Sequence, residues 1–451
     1  MAGLTVTTTS AADFDRQWRT LREKLTLEAA LLGEFGPQKD RLDSVRDILA
    51  AMRRGLANGA ADNLLLDYLN EFDRVKLSDP GELRISDDAL RESHERIKQN
   101  KELYAAIGNA IANVRSYQEA IKLKQVPDWT TDGLRLGIRY RPIRRVGICV
   151  PGASAPLVST VVMTAVPAQV AGVTEIAVIS APRPDCDNSI HPAILGTCCE
   201  LGITEVYRIS GAHGVAALAF GTETIKKVDK IVGPSNWWGQ LAKKEVYGLV
   251  DIDSFAGPSE VLILADDSAR PAWVAADMLS QAEHSPGSGV LLTDSTPLAQ
   301  AVAKEIESQL TKLSRGQDTR RCIEQFCLAV VTRDIDQAVD LANDFAAEHL
   351  QIQCRDSGIV AERITNAGAI FVGHYSPVAT GDYYAGPSHT LPTGGSARFF
   401  SALNVNDFLN QSSIIAYDQS ALDRAAGAIT TIARAEGLDA HARSIEIRSN
   451  L

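Results

Sequence analysis

RVGICVPGASAPLVSTVVMTAVPAQVAGVTEIAVISA, residues 145–181, joins two short apolar runs through a longer stretch that is typical of a helix. The runs VGICV and EIAVISA are rich in β-branched residues, and EVYRIS and KIVG repeat the pattern after the helical stretch HPAILGTCCELG. Strands that alternate with helices at this spacing predict parallel βαβ units. The sequence therefore predicts a doubly wound α/β module that begins near residue 145.

A second alternating set begins near residue 260. Its apolar runs EVLILA, GVLLT, CLAVVT, LQIQ and AIFVG are separated by helical stretches, two of which begin at Pro271 and Pro297. Residues 12 to about 125 have helical apolar spacing, and helical segments return after Pro392, before SIEIRS as a candidate edge strand. The predicted fold class is α/β, with two doubly wound, incomplete Rossmann-like modules and helical N-terminal and C-terminal extensions.

Composition and charge narrow the class of protein. The chain has 451 residues, of which 45% are apolar and 22% charged, and its net charge is −11. These values indicate a globular protein and disfavour nucleic acid or an anionic membrane as a partner. The sequence has no pattern of a secretory signal and no run of about 18 apolar residues that would predict a membrane span. The seven cysteines lack Cys-x-x-Cys spacing and are expected to be buried, in a reducing cytoplasm.

The pair Glu348-His349 stands in FAAEHLQIQC, residues 345–354, where a predicted helix gives way to a predicted strand. A carboxylate beside an imidazole is a candidate acid/base pair, but it is also compatible with two polar residues in a surface turn. Neighbouring side chains point in different directions on either element, so the pair alone does not decide between these interpretations.

Three further segments carry residue types that bind metals. They are LSQAEHSPGSGV (279–290), GHYSPVATGDYYAGPSHTLPTGG (373–395) and AEGLDAHARSIEI (435–447). Gln281 and His284 are expected to share a helix face, and the second segment is expected to be an ordered loop with almost no regular structure. Each segment alone is more typical of a helix end or a turn. Together they suit one zinc ion and an acid/base group, with the candidates Gln281, His284, Asp382, His389, Glu436 and His441.

Phosphate groups could be received at three junctions between a strand-like run and a helix. These are VPGASAPLVST (150–160), SGAHGVAALAFG (210–221) and GPSNWWGQ (233–240). The sequence contains neither a Gly-x-Gly-x-x-Gly nor a Walker A pattern at these junctions. The patterns are thus compatible with a dinucleotide but do not identify one.

From about residue 140 to its C-terminus, the sequence resembles the histidinol dehydrogenase family. The resemblance is carried by long motifs in the same order: AALAFGTETIKKVDKIVGPSN (216–236), FAGPSEVLILAD (255–266), LSQAEH (279–284), EHLQIQ (348–353), GDYYAGPSHTLPT (381–393) and EGLDAH (436–441). The helical first quarter is similar to the family only in general character.

The resemblance implies a role for individual residues. Glu348 and His349 would be the acid/base residues, and one Zn²⁺ per subunit would be held by Gln281, His284, Asp382 and, from the partner subunit of a homodimer, His441. Substrate contacts would come from Ser259, Gln281, His284, His349, Asp382, His389, Glu436 and His441. NAD⁺ contacts would come from Cys149, His213 and Asn236.

The implied reaction is a two-step, four-electron oxidation of L-histidinol through L-histidinaldehyde to L-histidine, the last steps of histidine biosynthesis, in the cytoplasm. The implied domains are an N-terminal helical arm (1–25), a discontinuous catalytic α/β domain (26–140 and 255–390), an NAD-binding Rossmann-like domain (141–254) and a C-terminal dimerisation extension (391–451). Neither nucleic acid nor a membrane is expected as a partner.

Four positions depart from the family pattern. Cys149 replaces a common Tyr, His213 a common Gln, Val378 a Glu found in some members, and Ala347 the usual Pro. The departures at Cys149, His213 and Val378 leave open a relative that oxidises another small alcohol, for example a sulfonated diol, with the same zinc and NAD chemistry. A silent α/β protein that only binds a small polar ligand is the third alternative, and the intact zinc and acid/base positions disfavour it.

Overall fold

The structure is a computed structural model that describes residues 3–26, 38–73, 75–153, 155–284 and 286–449. Its strands are β1 Thr5–Thr8, β2 Trp129–Thr131, β3 Leu134–Pro142, β4 Arg145–Val150, β5 Glu175–Ser180, β6 Glu205–Tyr207, β7 Lys230–Val232, β8 Asp251–Ile252, β9 Ser259–Ala265, β10 Gly287–Thr293, β11 Leu328–Val331, β12 His349–Gln353, β13 Ala369–Val372 and β14 Leu409–Tyr417.

The helices alternate with most of these strands. They are α1 Phe14–Leu25, α2 Gln38–Ala57, α3 Ala61–Phe72, α4 Asp87–Gln99, α5 Lys101–Ile121, α6 Val158–Ala171, α7 Pro192–Glu200, α8 Gly211–Phe220, α9 Trp237–Val246, α10 Pro271–Ala282, α11 Thr296–Leu310, α12 Gly316–Phe326, α13 Ile335–Phe345, α14 Ser357–Ala361, α15 Val378–Tyr383, α16 Gln419–Ala435 and α17 Asp439–Glu446.

Two parallel sheets confirm the predicted fold class. The five-stranded sheet has the order β6-β5-β4-β7-β8, and the six-stranded sheet has the order β1-β11-β10-β9-β12-β13. Numbered from its own first strand, each module has the order 3-2-1-4-5, with β1 added at the edge of the second. This is the doubly wound order without its sixth strand. The direction in which successive strands are added to the sheet reverses between β4 and β7 and between β9 and β12.

Each sheet is covered by helices on both faces, which explains the continuous apolar runs in the sequence. All six residues of β4 are buried. On one face of the five-stranded sheet the core includes residues of α2, α3, α8 and α9, and on the other face residues of α5, α6 and α7. In the six-stranded sheet, β9 contributes Val261 and Ile263 to the core under α10 and α11, and Leu262 and Leu264 to the core under α1 and α13.

The structure differs from the expected domain division in two places. Thr5–Thr8, placed in a helical arm, pairs as β1 with β11 and is part of the six-stranded sheet. The helices α2 and α3, from the segment 26–140, pack on the five-stranded sheet, because they bury Val45, Leu49 and Leu65 in the same core as α8. In the same segment, α5 also contacts 255–390, where Asn113 donates to the carbonyl oxygen of Tyr384. Residues 27–37 lie outside the described residues.

The C-terminal extension is not entirely helical. Within it, β14 pairs with β3 in an antiparallel sheet of three strands, of order β14-β3-β2. SIEIRS, expected as an edge strand, instead lies at and beyond the end of α17. That prediction was wrong because the alternation is short, and a turn at Gly437 starts a new helix that packs on α16. In the described part of the chain, no helix is long and apolar enough to cross a membrane.

Candidate active site

One cleft lies where the two sheets face each other. Its wide part, here called the outer cleft, has a volume of about 420 Å³ and follows the carboxyl ends of β4 and β7. Its inner part, here called the reaction pocket, has a volume of about 190 Å³ and reaches the amino ends of β9 and β12. Among the residues that line the reaction pocket are Ser259, Gln281, His284, Glu348, His349, Asp382 and His389.

The predicted acid/base pair lies at the junction between α13 and β12. The helix ends at Phe345, Ala346 adopts a left-handed conformation with φ of 54°, and β12 begins at His349. Both Glu348 and His349 are buried, at 7% and 3% exposure, so the surface-turn interpretation is excluded. The pair belongs to the lining of an interior pocket.

Glu348 is held by two donors at the start of β9. Its Oε2 atom accepts hydrogen bonds from the Ser259 hydroxyl at 2.8 Å and from the Glu260 N–H at 2.9 Å. Burial raises the pKa of the Glu348 carboxyl, and the nearby His349 opposes that rise. Ser259 also lies 2.8 Å from Gln281 Oε1, so the hydroxyl connects the carboxylate to the carboxamide.

His349 has one engaged and one open ring nitrogen. Nδ1 lies 3.0 Å from the carbonyl oxygen of Glu260, which can only accept, so Nδ1 carries the hydrogen. Nε2 is buried without a hydrogen-bond partner and lies 3.7 Å from Asp382 Oδ1. Burial alone would lower the pKa of His349, but Glu348 and Asp382 outweigh it and raise the pKa to about 9. An open, buried nitrogen that faces the pocket is placed to exchange a proton with a bound molecule.

Three of the predicted zinc ligands line the reaction pocket together. Gln281 lies in the last turn of α10, but His284 follows the end of that helix, so the two do not share a helix face as expected. Asp382 lies in the short helix α15, where an irregular loop was expected. A carboxamide oxygen, an imidazole and a carboxylate are compatible with zinc. Among the described residues, no three of His, Cys, Asp and Glu come together to hold a metal.

Two other predicted residues lie outside the pocket of this chain. Glu436 caps the end of α16 and His441 lies in the first turn of α17, and both are exposed. His389, in contrast, lines the pocket with Nε2 3.3 Å from the Ser159 hydroxyl, and burial lowers its pKa. Val378 is 1% exposed and packs in the core under α10.

The predicted cofactor residues lie along the carboxyl edge of the five-stranded sheet. Cys149, at the end of β4, lines the outer cleft, and burial raises the pKa of its thiol to about 12. The side chain of Asn236 caps α9 by accepting the Gly239 N–H at 3.0 Å. His213 lines an adjoining side pocket of about 380 Å³, with its Nε2 3.4 Å from Asp73. Asn236 borders both cavities, so they lie next to each other.

Two carboxyl groups near the pocket were not singled out from the sequence. Glu260 follows Ser259 and is 1% exposed, and Asp277 lies in α10, four residues before Gln281. Asp277 Oδ2 accepts hydrogen bonds from Gln351 at 3.0 Å and from Gln353 at 2.8 Å. The available signal was a charged residue inside an apolar run, since GPSEVLILA places a carboxylate where a strand is otherwise buried.

Comparisons with known proteins show the family of the chain. A family model described as histidinol dehydrogenase matches residues 37–449. The chain belongs to the histidinol dehydrogenase family. Among curated members, it is 48% identical to "Histidinol dehydrogenase" of Rhodopirellula baltica, over 85% of this chain and 83% of that protein. It is 46% identical to "Histidinol dehydrogenase 2" of Trichormus variabilis, over 90% of this chain and 92% of the relative.

A solved structure of a family member has the same fold. The crystal structure of histidinol dehydrogenase from Elizabethkingia anophelis is 32% identical to this chain and superposes with a TM-score of 0.89. The match covers 99% of this chain and 98% of that structure. Both modules and both extensions are therefore shared with the family.

Proposed function

We propose that this chain is an L-histidinol dehydrogenase that uses zinc and NAD⁺ to oxidise L-histidinol through L-histidinaldehyde to L-histidine, the last steps of histidine biosynthesis. One observation carries the proposal: the open Nε2 of His349 faces a pocket that also contains Gln281, His284 and Asp382. Family membership supports the choice of substrate. The sulfonated diol left open by the sequence has no support, and the departure at Val378 does not bear on it, because that side chain is buried in the core.

NAD⁺ is proposed to lie in the outer cleft, where it would accept the hydride. Two helices, α8 and α9, begin at this cleft, and their N-terminal N–H groups suit a pyrophosphate. Cys149, His213 and Asn236 would border the cofactor, with the short Cys149 side chain leaving more room than the Tyr of relatives. The segment 141–254 is thereby proposed as the NAD-binding domain.

Zinc is proposed to be held by Gln281, His284 and Asp382, with His441 of the partner subunit as the fourth ligand. When bound, the ion would supply a fixed positive charge that orients the imidazole and amine nitrogens of the substrate. Asp382 would then be neutralised in part, which removes one of the two carboxylates that raise the pKa of His349. His349 is thus better able to work as a neutral base near pH 7.

The proton steps are proposed to belong to the buried pair. His349 Nε2 would take the hydroxyl proton of histidinol as the carbon is oxidised, with Nδ1 held by Glu260. Glu348 would then take a proton from the water that adds to the aldehyde, while Ser259 keeps its carboxylate in place. Once its first proton has passed to solvent, His349 would take a hydroxyl proton of the hydrated aldehyde as the carbon is oxidised a second time, and Ser259, His389 and Glu436 would contact the substrate.

A homodimer is proposed because the site lacks one ligand in a single chain. His441 and Glu436 are exposed on the C-terminal extension, 391–451, which also exposes Ile415, Ile432 and Ile447 at 68%, 60% and 76%. Apolar side chains of this size favour a protein partner. Mixing an inactive His441→Ala chain with an inactive His349→Asn chain should restore about a quarter of the wild-type activity, because random pairing repairs one site in each mixed dimer.

The cytoplasm is the proposed compartment. A biosynthetic enzyme that uses NAD⁺ would find its cofactor there, and all seven cysteines are free. Five of them are buried, as expected, while Cys186 and Cys199 are partly exposed.

The decisive experiment is an NADH-formation assay with purified protein and L-histidinol, with the sulfonated diol as the control substrate. We expect two NADH per histidinol, loss of activity with a chelator, and recovery on adding zinc. Metal analysis should find one zinc per chain. Turnover of the sulfonated diol without turnover of histidinol would overturn the choice of substrate, and a metal-free protein with full activity would overturn the zinc site.

A further inference from the structure

Glu260 contacts both residues of the acid/base pair. It is the second residue of β9 and is 1% exposed. Its N–H donates to Glu348 Oε2, and its carbonyl oxygen accepts from His349 Nδ1. Its main chain thereby fixes the carboxylate of one residue and the ring of the other. The side chain is also engaged, and it forms contacts of a different kind.

A single carboxyl oxygen of Glu260 accepts two main-chain N–H groups. Oε1 lies 3.2 Å from the nitrogen of Glu348 and 3.1 Å from that of Gly394. Gly394 follows the segment that carries Asp382 and His389, and its φ of 60° is a left-handed value that glycine adopts without strain. The Glu260 side chain therefore joins the start of β12 to the end of the segment that forms the other wall of the pocket.

A second hydrogen bond joins residues that lie just before Glu260 and Gly394 in the chain. The N–H of Gly257 donates to Thr393 Oγ1 at 2.5 Å. The segment after His389 is thus bonded both to Gly257, before β9, and to Glu260, within β9, and of these two bonds only the one through Glu260 involves a residue that also contacts Glu348.

The backbone next to Glu348 needs such support. Ala346 is fully buried in a left-handed conformation, which costs an alanine roughly 1–2 kcal/mol. Strained backbone persists only where its surroundings hold it in place. The Glu348 N–H is two residues beyond this point, and its acceptor is the Glu260 side chain.

The environment of this carboxyl favours its neutral form. Burial and the nearby Glu348 raise the pKa of Glu260 to about 8, so near pH 7 the group carries a proton. A neutral carboxylic acid still has an oxygen that can accept both N–H groups. Its proton then sits on the other oxygen, where the amide of glutamine would place its NH₂.

We propose that Glu260 is a positioning residue, which holds Glu348 and His349 against the far wall of the pocket by accepting the Glu348 and Gly394 N–H groups and needs no charge to do so. This inference rests on the proposed function, since it concerns the geometry of the same acid/base pair. It distinguishes two kinds of buried carboxyl group beside the reaction pocket. Glu348 would take a proton from water, whereas Glu260 aligns the main chain.

The test compares Glu260→Gln with Glu260→Leu. Glutamine keeps the accepting oxygen and leucine removes it at similar size, so we expect kcat within about 3-fold of wild type for the first and a loss of about 100-fold for the second. The KM for histidinol and for NAD⁺ should change little in both variants. NADH binding followed by fluorescence should be equal in all proteins, because the outer cleft does not include Glu260.

Ser288→Ala is the matched control. Ser288 is fully buried and pairs directly with Glu260 in the sheet, and it donates to Phe326 rather than to the pocket. Its loss should leave kcat unchanged. If Glu260→Leu does not bind NADH and is not folded, Glu260→Ala replaces it with the same expected loss.

The outcomes separate this inference from the proposed function. A wild-type protein without histidinol turnover would overturn the function. With an active wild type, a leucine or alanine variant of normal kcat would overturn the positioning role. A glutamine variant as inactive as the leucine variant would show that the charge is needed and would overturn the acceptor role.

Discussion

The two parallel sheets present opposite edges to the same cleft, although their strand order is the same. The five-stranded sheet offers the carboxyl ends of β4 and β7, as ligand sites in doubly wound folds usually do. The six-stranded sheet offers the amino ends of β9 and β12. The strands at the two switch points are equivalent, so the difference lies only in which end is used.

The strand ends that face the cleft determine which helix ends lie beside it, and these helix ends carry opposite partial charges. Helices α8 and α9 begin at the outer cleft, so their positive N-terminal ends face it. Helices α10 and α13 end beside the reaction pocket, so their negative C-terminal ends lie there, together with the carboxyl group of Glu348. One side of the cleft therefore suits an anion such as a pyrophosphate, and the other suits a cation such as zinc.

Ion pairs lie at the strand ends that face away from the cleft. At the amino end of β4, Arg145 is 4% exposed and contacts Glu175 and Glu205. At the carboxyl end of the six-stranded sheet, Arg355 contacts Asp266 and Asp267. Each module thus pairs an arginine with carboxylates at the edge that faces away from the cleft.

The largest effect is expected from His349→Asn, which removes the open nitrogen at the amino edge. A general base contributes about 10²–10⁴-fold, so kcat should fall by that factor with little change in the KM for NAD⁺. His374→Asn is the control, because His374 follows β13 at the opposite edge, where its Nε2 lies 3.4 Å from the Ser268 hydroxyl. An equal loss in both variants would contradict the assignment of the base to the amino edge.

Glu348→Gln is expected to separate the two oxidation steps. Oxidation of the aldehyde should fall by about 10²-fold, because water loses its base, while oxidation of the alcohol should fall less. The half-reactions are measured separately, with histidinaldehyde and with histidinol at a single turnover. Glu362→Gln, on the exposed end of α14, should change neither. Equal losses in both steps would assign Glu348 to a shared role.

Asp277→Asn tests whether the six-stranded module carries excess buried negative charge. Burial raises the pKa of Asp277 to about 6, so its contribution to stability is full below pH 4 and is lost as pH rises through 6. Asparagine does not ionise, so relative to wild type the variant should gain about 2 kcal/mol between pH 4 and pH 7.5. Denaturant unfolding at the two pH values measures the difference in the free energy of unfolding between the variant and the wild type. If that difference is the same at both pH values, Asp277 is not a source of buried negative charge.

The smallest effect is expected at the carboxyl edge, from Asn236→Ala. Loss of the α9 cap costs about 1 kcal/mol and would remove the proposed cofactor contact, so the KM for NAD⁺ should rise by about 10-fold at nearly constant kcat. Ser295→Ala removes the equivalent cap of α11, which donates no residue to the cleft. It should cost similar stability without a change in KM. A rise in both would show that the effect is only structural.

Periodicity predicted both modules because their strands are buried on two faces and read as continuous apolar runs. It missed Thr5–Thr8, since TVTT is short and polar and becomes a strand only through pairing with residues 328–331. It missed β14 for a similar reason, because its stability depends on pairing with β3, more than 250 residues earlier in the chain. Contacts of this range leave no local pattern.

The sequence predicted which residues belong to the candidate site, but not how they are arranged in space. Glu348 and His349 are adjacent in sequence, but their side chains are both held by the main chain of Glu260, which lies in another strand. The expected shared helix face of Gln281 and His284 was wrong because α10 ends between them. Glu436 and His441 could be named from motifs alone, since one chain does not bring them to the pocket.

The position of β1 sets the order of events during synthesis. Thr5–Thr8 leaves the ribosome before its partner strand, which ends at Val331. At 5–20 residues per second, β1 must wait roughly 15–65 s for that strand, while the last strand of the five-stranded sheet is already complete at Ile252. The nascent chain would thus carry the strands of the five-stranded sheet and an unpaired β1, and both cavities would form later, because the outer cleft also needs Ser259 and His284 and the reaction pocket needs residues up to Thr393.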